Sequence, residues 1–189
     1  MSTISELKAL TATLVEAKDA DITLPTFIIW ANECSSDLAP IARKRVRATA
    51  DWAGGTEFAL PADLTELRRL TYDGEIILPE NLNTVAGATS YTRWGSVIVF
   101  DDALDAAELT IHYYRKLTTF TLGTDVPELP TQFHRLYALF AASRFWKLEG
   151  DEAAKEMSLR AEYESLKAQL DTHTLYEGGP RSFRMSLRW

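Results

Sequence analysis

The chain has 189 residues, 46% of them apolar and 25% charged, with a net charge of −7. Such a length buries about 70% of the unfolded surface, so no metal or disulfide is needed to hold a core; the single cysteine, Cys34, excludes an intrachain disulfide and a cysteine-cluster zinc site. The acidic balance disfavours general gripping of DNA, no apolar run reaches the roughly 20 residues of a membrane span, and Met1 to Ala20 is too polar for a secretory signal.

The chain opens on a predicted helix. Thr3 and Glu6 form a capping-box pattern, and Ile4, Leu7, Leu10 and Leu14 follow at helical spacing. A polar break at Asp19 to Asp21 separates it from a second helix starting near Pro25. Leu24, Phe27, Ile28, Ala31, Cys34 and Leu38 give that helix one apolar face, with Ile29 and Trp30 to its side. Pro40 is expected to end or bend it.

The period then changes. Arg45 to Asp51 and Thr56 to Leu60 flank Ala53-Gly54-Gly55 and read as a hairpin. Glu66 to Tyr72 and Glu75 to Leu78 flank Asp73-Gly74, the strongest short hairpin signal in the chain. Pro79 to Gly87 reads as a loop or a short helix. Ser96 to Phe100 and Glu108 to Lys116 are two further strands, and their one-sided pattern fits an antiparallel sheet.

A linker with Gly123, Pro127 and Pro130 leads into two long helices. The first carries Phe133, Leu136, Tyr137, Phe140, Ala141 and Leu148 and is broken at Gly150. The second, which Asp151 can cap, carries two stripes: Ala154, Met157 and Ala161, and Leu159, Tyr163, Leu166 and Leu170. A face that wide predicts burial on more than one side. The fold class is therefore α+β. A helical core, with two N-terminal and two long C-terminal helices (3–42 and 128–174), holds an inserted antiparallel β lobe over 43–118. Residues 1–174 are read as a single domain and 175–189 as an extended arm.

Catalytic chemistry finds little to stand on. His112, His134 and His173 lie on a strand, at a helix start and at a helix end, without the spacing of a metal pair. Cys34 sits on an apolar face and reads as core packing. Asp101, Asp102 and Asp105 follow a strand but lack the glycine and terminal glutamate of a calcium loop, so they read as a solvated turn. Gly54-Gly55 and Gly178-Gly179 have no phosphate-loop context. The basic run Arg43, Lys44, Arg45 and Arg47 enters a strand and reads as a solvated or subunit-facing edge. No catalytic, cofactor or metal site is expected.

The last stretch alternates strictly. Phe183, Met185, Leu187 and Trp189 fall on one side of a strand, and Ser182, Arg184, Ser186 and Arg188 on the other. Such a strand pairs with its own sheet or with another subunit, and the pattern leaves both open. Residues 175–189 carry three arginines against Glu177, a net +2, which leaves −9 for the rest of a chain at −7. A basic, apolar tail on an acidic body points towards a partner.

Short motifs in a fixed order carry a resemblance. Trp30-Ala31-Asn32-Glu33 matches a Trp/Leu-x-Asn-Glu helix centre. Leu60-Pro61-Ala62-Asp63, Leu67-Arg68 and the Asp73-Gly74 turn come next. Tyr91, Trp94-Gly95, the apolar strand Val97 to Phe100, and the paired tyrosines Tyr113-Tyr114 continue the series, and Pro127 and Pro130 precede two closing helices. In this order the chain resembles the head-to-tail adaptor (connector, or head-completion) proteins of tailed bacteriophages, over nearly its whole length. Phe100-Asp101-Asp102 departs from relatives that often carry a proline there.

The resemblance implies a structural virion protein of the head–tail neck, assembled in the host cytoplasm. It implies a ring, commonly of twelve copies, beneath the portal protein. The ring extends the DNA channel and receives a tail or nozzle protein. Double-stranded DNA would pass without sequence-specific binding, and no membrane is involved. The arm residues Arg181, Phe183, Arg184, Met185, Leu187, Arg188 and Trp189 become the portal-docking candidates. Ile29, Trp30 and Trp146 become the subunit-interface candidates. The competing reading is a soluble hydrolase using carboxylates such as Asp101 and Asp102.

Overall fold

A computed structural model describes residues 1–16, 21–80, 89–150 and 152–177. The chain divides into two compact units: Met1–Ala42 with the chain from Leu117 onward, and Arg43–Lys116.

The first unit is helical. Helix α1 spans Ile4–Leu14, and its capping box forms as read: the Glu6 N–H donates to Thr3 Oγ1 at 3.2 Å and the Thr3 N–H to Glu6 Oε2 at 2.8 Å. Its buried side is Ile4, Leu7, Thr11 and Ala12, while Leu10 is exposed. Helix α2 spans Leu24–Ala42 and continues two residues past Pro40. A short 3-10 turn at Thr131–Phe133 leads into α3, Arg135–Glu149. Gly150 ends α3, its N–H donating to the Trp146 carbonyl at 3.1 Å. Helix α4 spans Ala153–Glu177. Phe27, Cys34, Leu38, Leu136, Tyr137, Leu139, Tyr163 and Leu170 belong to one core.

Helix α4 corrects the expectation of a doubly buried face. Tyr163 and Leu170 are buried, with Leu159 and Leu166 packed half-buried against the core. The second stripe is open: Ala154 and Ala161 are exposed, and Met157 is 69% exposed. Leu148 on α3 is likewise exposed. Within its unit α4 packs by one face on α3 and α2, and nothing described covers the other.

The second unit is a curled sheet of seven strands in the order β1-β7-β3-β4-β5-β6-β2. The strands are β1 Lys44–Trp52, β2 Gly55–Ala59, β3 Leu64–Tyr72, β4 Glu75–Pro79, β5 Ser90–Trp94, β6 Val97–Leu104 and β7 Ala107–Arg115. The Asp73-Gly74 hairpin is present between Tyr72 and Glu75. Both turn residues have positive φ, 47° and 80°, as a tight hairpin turn matching strand twist requires.

The hairpin expected at Ala53-Gly54-Gly55 does not form. β1 pairs with β7 and β2 with β6, both antiparallel. Trp52 lies opposite Ala107 and Gly55 opposite Leu104, in step across the break, and the register then shifts between Gly55 and Glu57, which lies opposite Val99. Residues 44–59 and 97–115 are thus one long two-stranded ribbon, bent once, in place of two hairpins. β1 and β2 stand at opposite ends of the strand order yet are one chain segment, which curls the sheet. Trp52 packs against Phe58, Tyr72 and Phe100 at ring-centroid distances of 6.3, 6.4 and 5.0 Å, bringing strands from both sides of the bend together.

Two further corrections concern β5. The sequence reading has no strand at Ser90–Trp94, a run too short to show a period. β5 also pairs parallel to β4, with Leu78 opposite Ser90, so the lobe is mixed and not wholly antiparallel. A parallel neighbour needs a crossover connection in place of a hairpin turn. Residues 81–88, most of the segment read as a loop or short helix, lie outside the described residues.

At the bend, Gly54 has φ +88°, and a Cβ there would stand 2.7 Å from the Leu104 carbonyl oxygen and 2.9 Å from the Asp105 carbonyl carbon. Gly74 has a similar φ, +80°, but open space around it. Gly54→Ala should therefore cost more stability than Gly74→Ala. Strain alone accounts for about 1 kcal/mol at Gly74, and displaced backbone should bring Gly54 to about 2 kcal/mol or more. Chemical denaturation of the two variants checks the order.

Candidate functional site

The motif residues can now be placed. In the helical unit, the Asn32 side chain pairs with one backbone position in both directions. Its Nδ2 donates to the Phe120 carbonyl at 3.1 Å, and the Phe120 N–H donates to its Oδ1 at 2.8 Å. This ties α2 to the segment entering the C-terminal helices. Ala31 beside it is fully buried, where no larger side chain fits without displacing the core. Glu33 accepts from Arg144 at 2.8 Å, an exposed pair that adds little stability.

In the β unit, three motifs meet at one end of the sheet. Tyr113 Oη donates to Asp63 Oδ1 at 3.1 Å. The Asp63 carbonyl accepts from the Lys116 N–H at 2.7 Å. The Arg68 guanidinium lies over the Tyr114 ring, 5.4 Å from its centroid, and its Nη1 donates to Glu66 at 2.6 Å. The Leu-Pro-Ala-Asp segment, the Leu-Arg pair and the paired tyrosines are thus one packing device, although about 50 residues separate them along the chain.

The model of the family described as SU10 adaptor protein matches residues 2–184. The chain belongs to this family of phage head-to-tail adaptors. No curated protein matches it significantly. Membership makes the adaptor a structural component of phage assembly and of the virion.

Among the interface candidates, Ile29 is 59% exposed on α2, while Trp30 is half-buried against the helical core. Trp146 is also half-buried. Lys155 Nζ sits 4.6 Å from its ring centroid and Phe145 lies edge-on at 5.4 Å. Its indole Nε1 is buried without a hydrogen-bond partner among the described residues. The arm residues Arg181, Phe183, Arg184, Met185, Leu187, Arg188 and Trp189 lie outside the described residues.

The groups capable of chemistry have structural surroundings. Burial pushes the Cys34 thiol well above its ordinary range, which leaves a poor nucleophile. Asp37 accepts hydrogen bonds from Tyr163 Oη at 2.5 Å and Lys167 Nζ at 2.6 Å. Burial alone would raise the Asp37 pKa, but those two hydrogen bonds and the charges of Lys167 and Arg160 outweigh it and hold the pKa below the usual carboxylate value. Tyr163 is pushed up by burial and by the negative charge it would face. A polar groove lined by Asp37, Phe140, Arg144, Arg160 and Tyr163 borders this cluster. Asp101 accepts from the Ser90 hydroxyl, and Asp102 is exposed. His134 is buried at the start of α3, with Nε2 2.9 Å from the Leu129 carbonyl and Nδ1 accepting from the Ser2 N–H at 3.3 Å. Among the described residues, no three His, Cys, Asp or Glu side chains converge as metal ligands, and no helix is long and apolar enough to cross a membrane.

The sequence reading missed the Asp37–Tyr163–Lys167 cluster. Its members lie 126 and 130 residues apart and carry no local pattern. The signal for Asn32 was present in the motif, but its partner is a backbone group, which no side-chain pattern reveals.

Two outcomes follow. Asn32→Ala should cost about 1–3 kcal/mol, because it leaves the Phe120 N–H and carbonyl unpaired at a partly buried position; urea denaturation reads it. Asp37 has a folded pKa below its unfolded value. The stability it contributes is therefore fully present above the unfolded carboxylate pKa of about 4 and is lost as pH falls through the folded pKa. Asp37→Asn should be less stable than the parent at neutral pH, and the gap should narrow on acidification. A gap independent of pH would exclude the carboxylate as its source.

Proposed function

We propose that the chain is a ring-forming adaptor of the virion neck. Copies, twelve in number, assemble beneath the portal protein, extend the DNA channel and receive a tail or nozzle protein. The observation that carries this reading is the family match across residues 2–184. The motif residues of that family act here as packing and hydrogen-bond devices, which suits a protein whose work is to hold a shape. A net charge of −7 suits a conduit that duplex DNA slides through without being gripped.

The arm read as 175–189, whose first three residues are the last of α4, is proposed to dock on the portal. Its alternation places four large apolar side chains on one side, each worth about 1.5–3 kcal/mol when fully buried, enough to offset the entropy of ordering a short segment. Arginines on the other side suit carboxylates or carbonyls of the partner.

The test is co-expression with the portal, followed by analytical ultracentrifugation and electron microscopy of the purified complex. A portal-bound ring is expected. Deleting Arg181 to Trp189 should leave the melting temperature of the free subunit nearly unchanged and abolish docking. A deletion that unfolds the free subunit would make the arm an intramolecular strand.

A further inference from the structure

The β unit carries a cluster of exposed arginines at one end of one wall and two exposed carboxylates on the other. On the first, Val46, Ala48, Leu109, Ile111 and Leu70 pack inward against the core. Alternation turns Arg45, Arg47, His112 and Arg69 to the outer face. Register then sets them in rows. His112 lies directly opposite Arg47 on one side and Arg69 on the other. In the next row Tyr114 lies opposite Arg45 on one side and Glu66 on the other, and carries Arg68, which is paired with Glu66, over its ring. Arg45, Arg47 and Arg69 are exposed, and none has an ion pair among the described residues. Beyond them come Thr49, Thr110 and Thr71, with Thr49 Oγ1 3.1 Å from Thr110 Oγ1, and then the carboxylates Asp51 and Glu108, opposite each other.

The second wall is built from β5, β6 and β2. Ile98 and Phe100 point into the same core. Val97, Val99 and Asp101 therefore face outward, joined by Trp94 opposite Val97 and Glu57 opposite Val99. Glu57 and Asp101 are exposed, and Trp94 is 71% exposed, an unusual position for the largest apolar side chain. The neighbouring Arg93, opposite the inward Ile98, donates to the Gly95 carbonyl at 3.1 Å. The two walls lie on either side of one core, so their outer faces point away from each other.

We infer that these walls are the two halves of one head-to-tail contact, the arginine wall of one copy seating on the Trp94–Glu57–Asp101 wall of the next. The inference rests on the ring reading above and names the surfaces that make the ring. A ring needs two different complementary surfaces on each subunit, unlike the self-matching patch of a twofold dimer. The occupant is a second copy because the same lobe supplies both charges. Guanidinium groups make forked hydrogen bonds to carboxylates and stack on indole rings, so Glu57, Asp101 and Trp94 suit the arginine wall as partners. The basic arm, with Arg181, Arg184 and Arg188, would meet like charge there.

The test uses two neutralised variants of the full chain, Arg47→Ala/Arg69→Ala and Glu57→Gln/Asp101→Asn, in sedimentation velocity at low and high salt. Circular dichroism confirms that each is folded. The parent should self-associate, more strongly at low salt. Each variant alone should lose at least tenfold in association. Mixed, they should form one-to-one pairs and nothing larger, because each keeps one intact wall and the two intact walls match. If both variants assemble like the parent, this contact is wrong while the ring reading stands. If the parent stays monomeric at every concentration and salt, the contact is also wrong, and the ring reading then depends on the portal-bound complex alone.

Discussion

The β unit depends on a single crossing of backbone. Where residues 44–59 bend past residues 97–115, Gly54 lies against the Leu104 and Asp105 backbone, at a separation that excludes a side chain. That contact lies where one antiparallel ribbon passes from one wall of the sheet to the other, beside the register shift between Gly55 and Glu57. Everything else in the unit follows from the bend. The sheet curls, Trp52 gathers an aromatic cluster at the corner, and one core fills the space between the walls. The outer faces of those walls are then free to differ in charge.

In the helical unit the same economy appears in polar form. A partly buried backbone donor and acceptor at Phe120 need partners, and one amide side chain, Asn32, satisfies both. The Thr3–Glu6 capping box, the His134 ring between Leu129 and Ser2, and the Asp37 cluster do comparable work at other junctions. Each holds together chain segments far apart in sequence, or closes a helix end that would otherwise expose free amides.

Sheet alternation separates the two sides of one strand. Arg45 and Arg47 share β1 with Val46 and Ala48, yet the two pairs face different environments.

The succession of two helices, a block of strands and two closing helices was legible in the sequence, as were the Thr3–Glu6 cap, the Asp73-Gly74 turn, the Gly150 break and the buried face of α2. All of these rest on neighbours within a turn or two, where the signal is a spacing of residues. The series from Trp30-Ala31-Asn32-Glu33 to Tyr113-Tyr114 was enough to reach the family. Strand pairing was decided elsewhere. Ala53-Gly54-Gly55 has the composition of a hairpin turn, but β1 finds β7, because a long ladder and a shared core outweigh a local turn preference. The parallel entry of β5, the open stripe of Met157 on α4, and the meeting of Asp37 with Tyr163 and Lys167 are of the same kind. Each depends on which surfaces meet when distant segments pack, and a one-dimensional pattern does not contain that information.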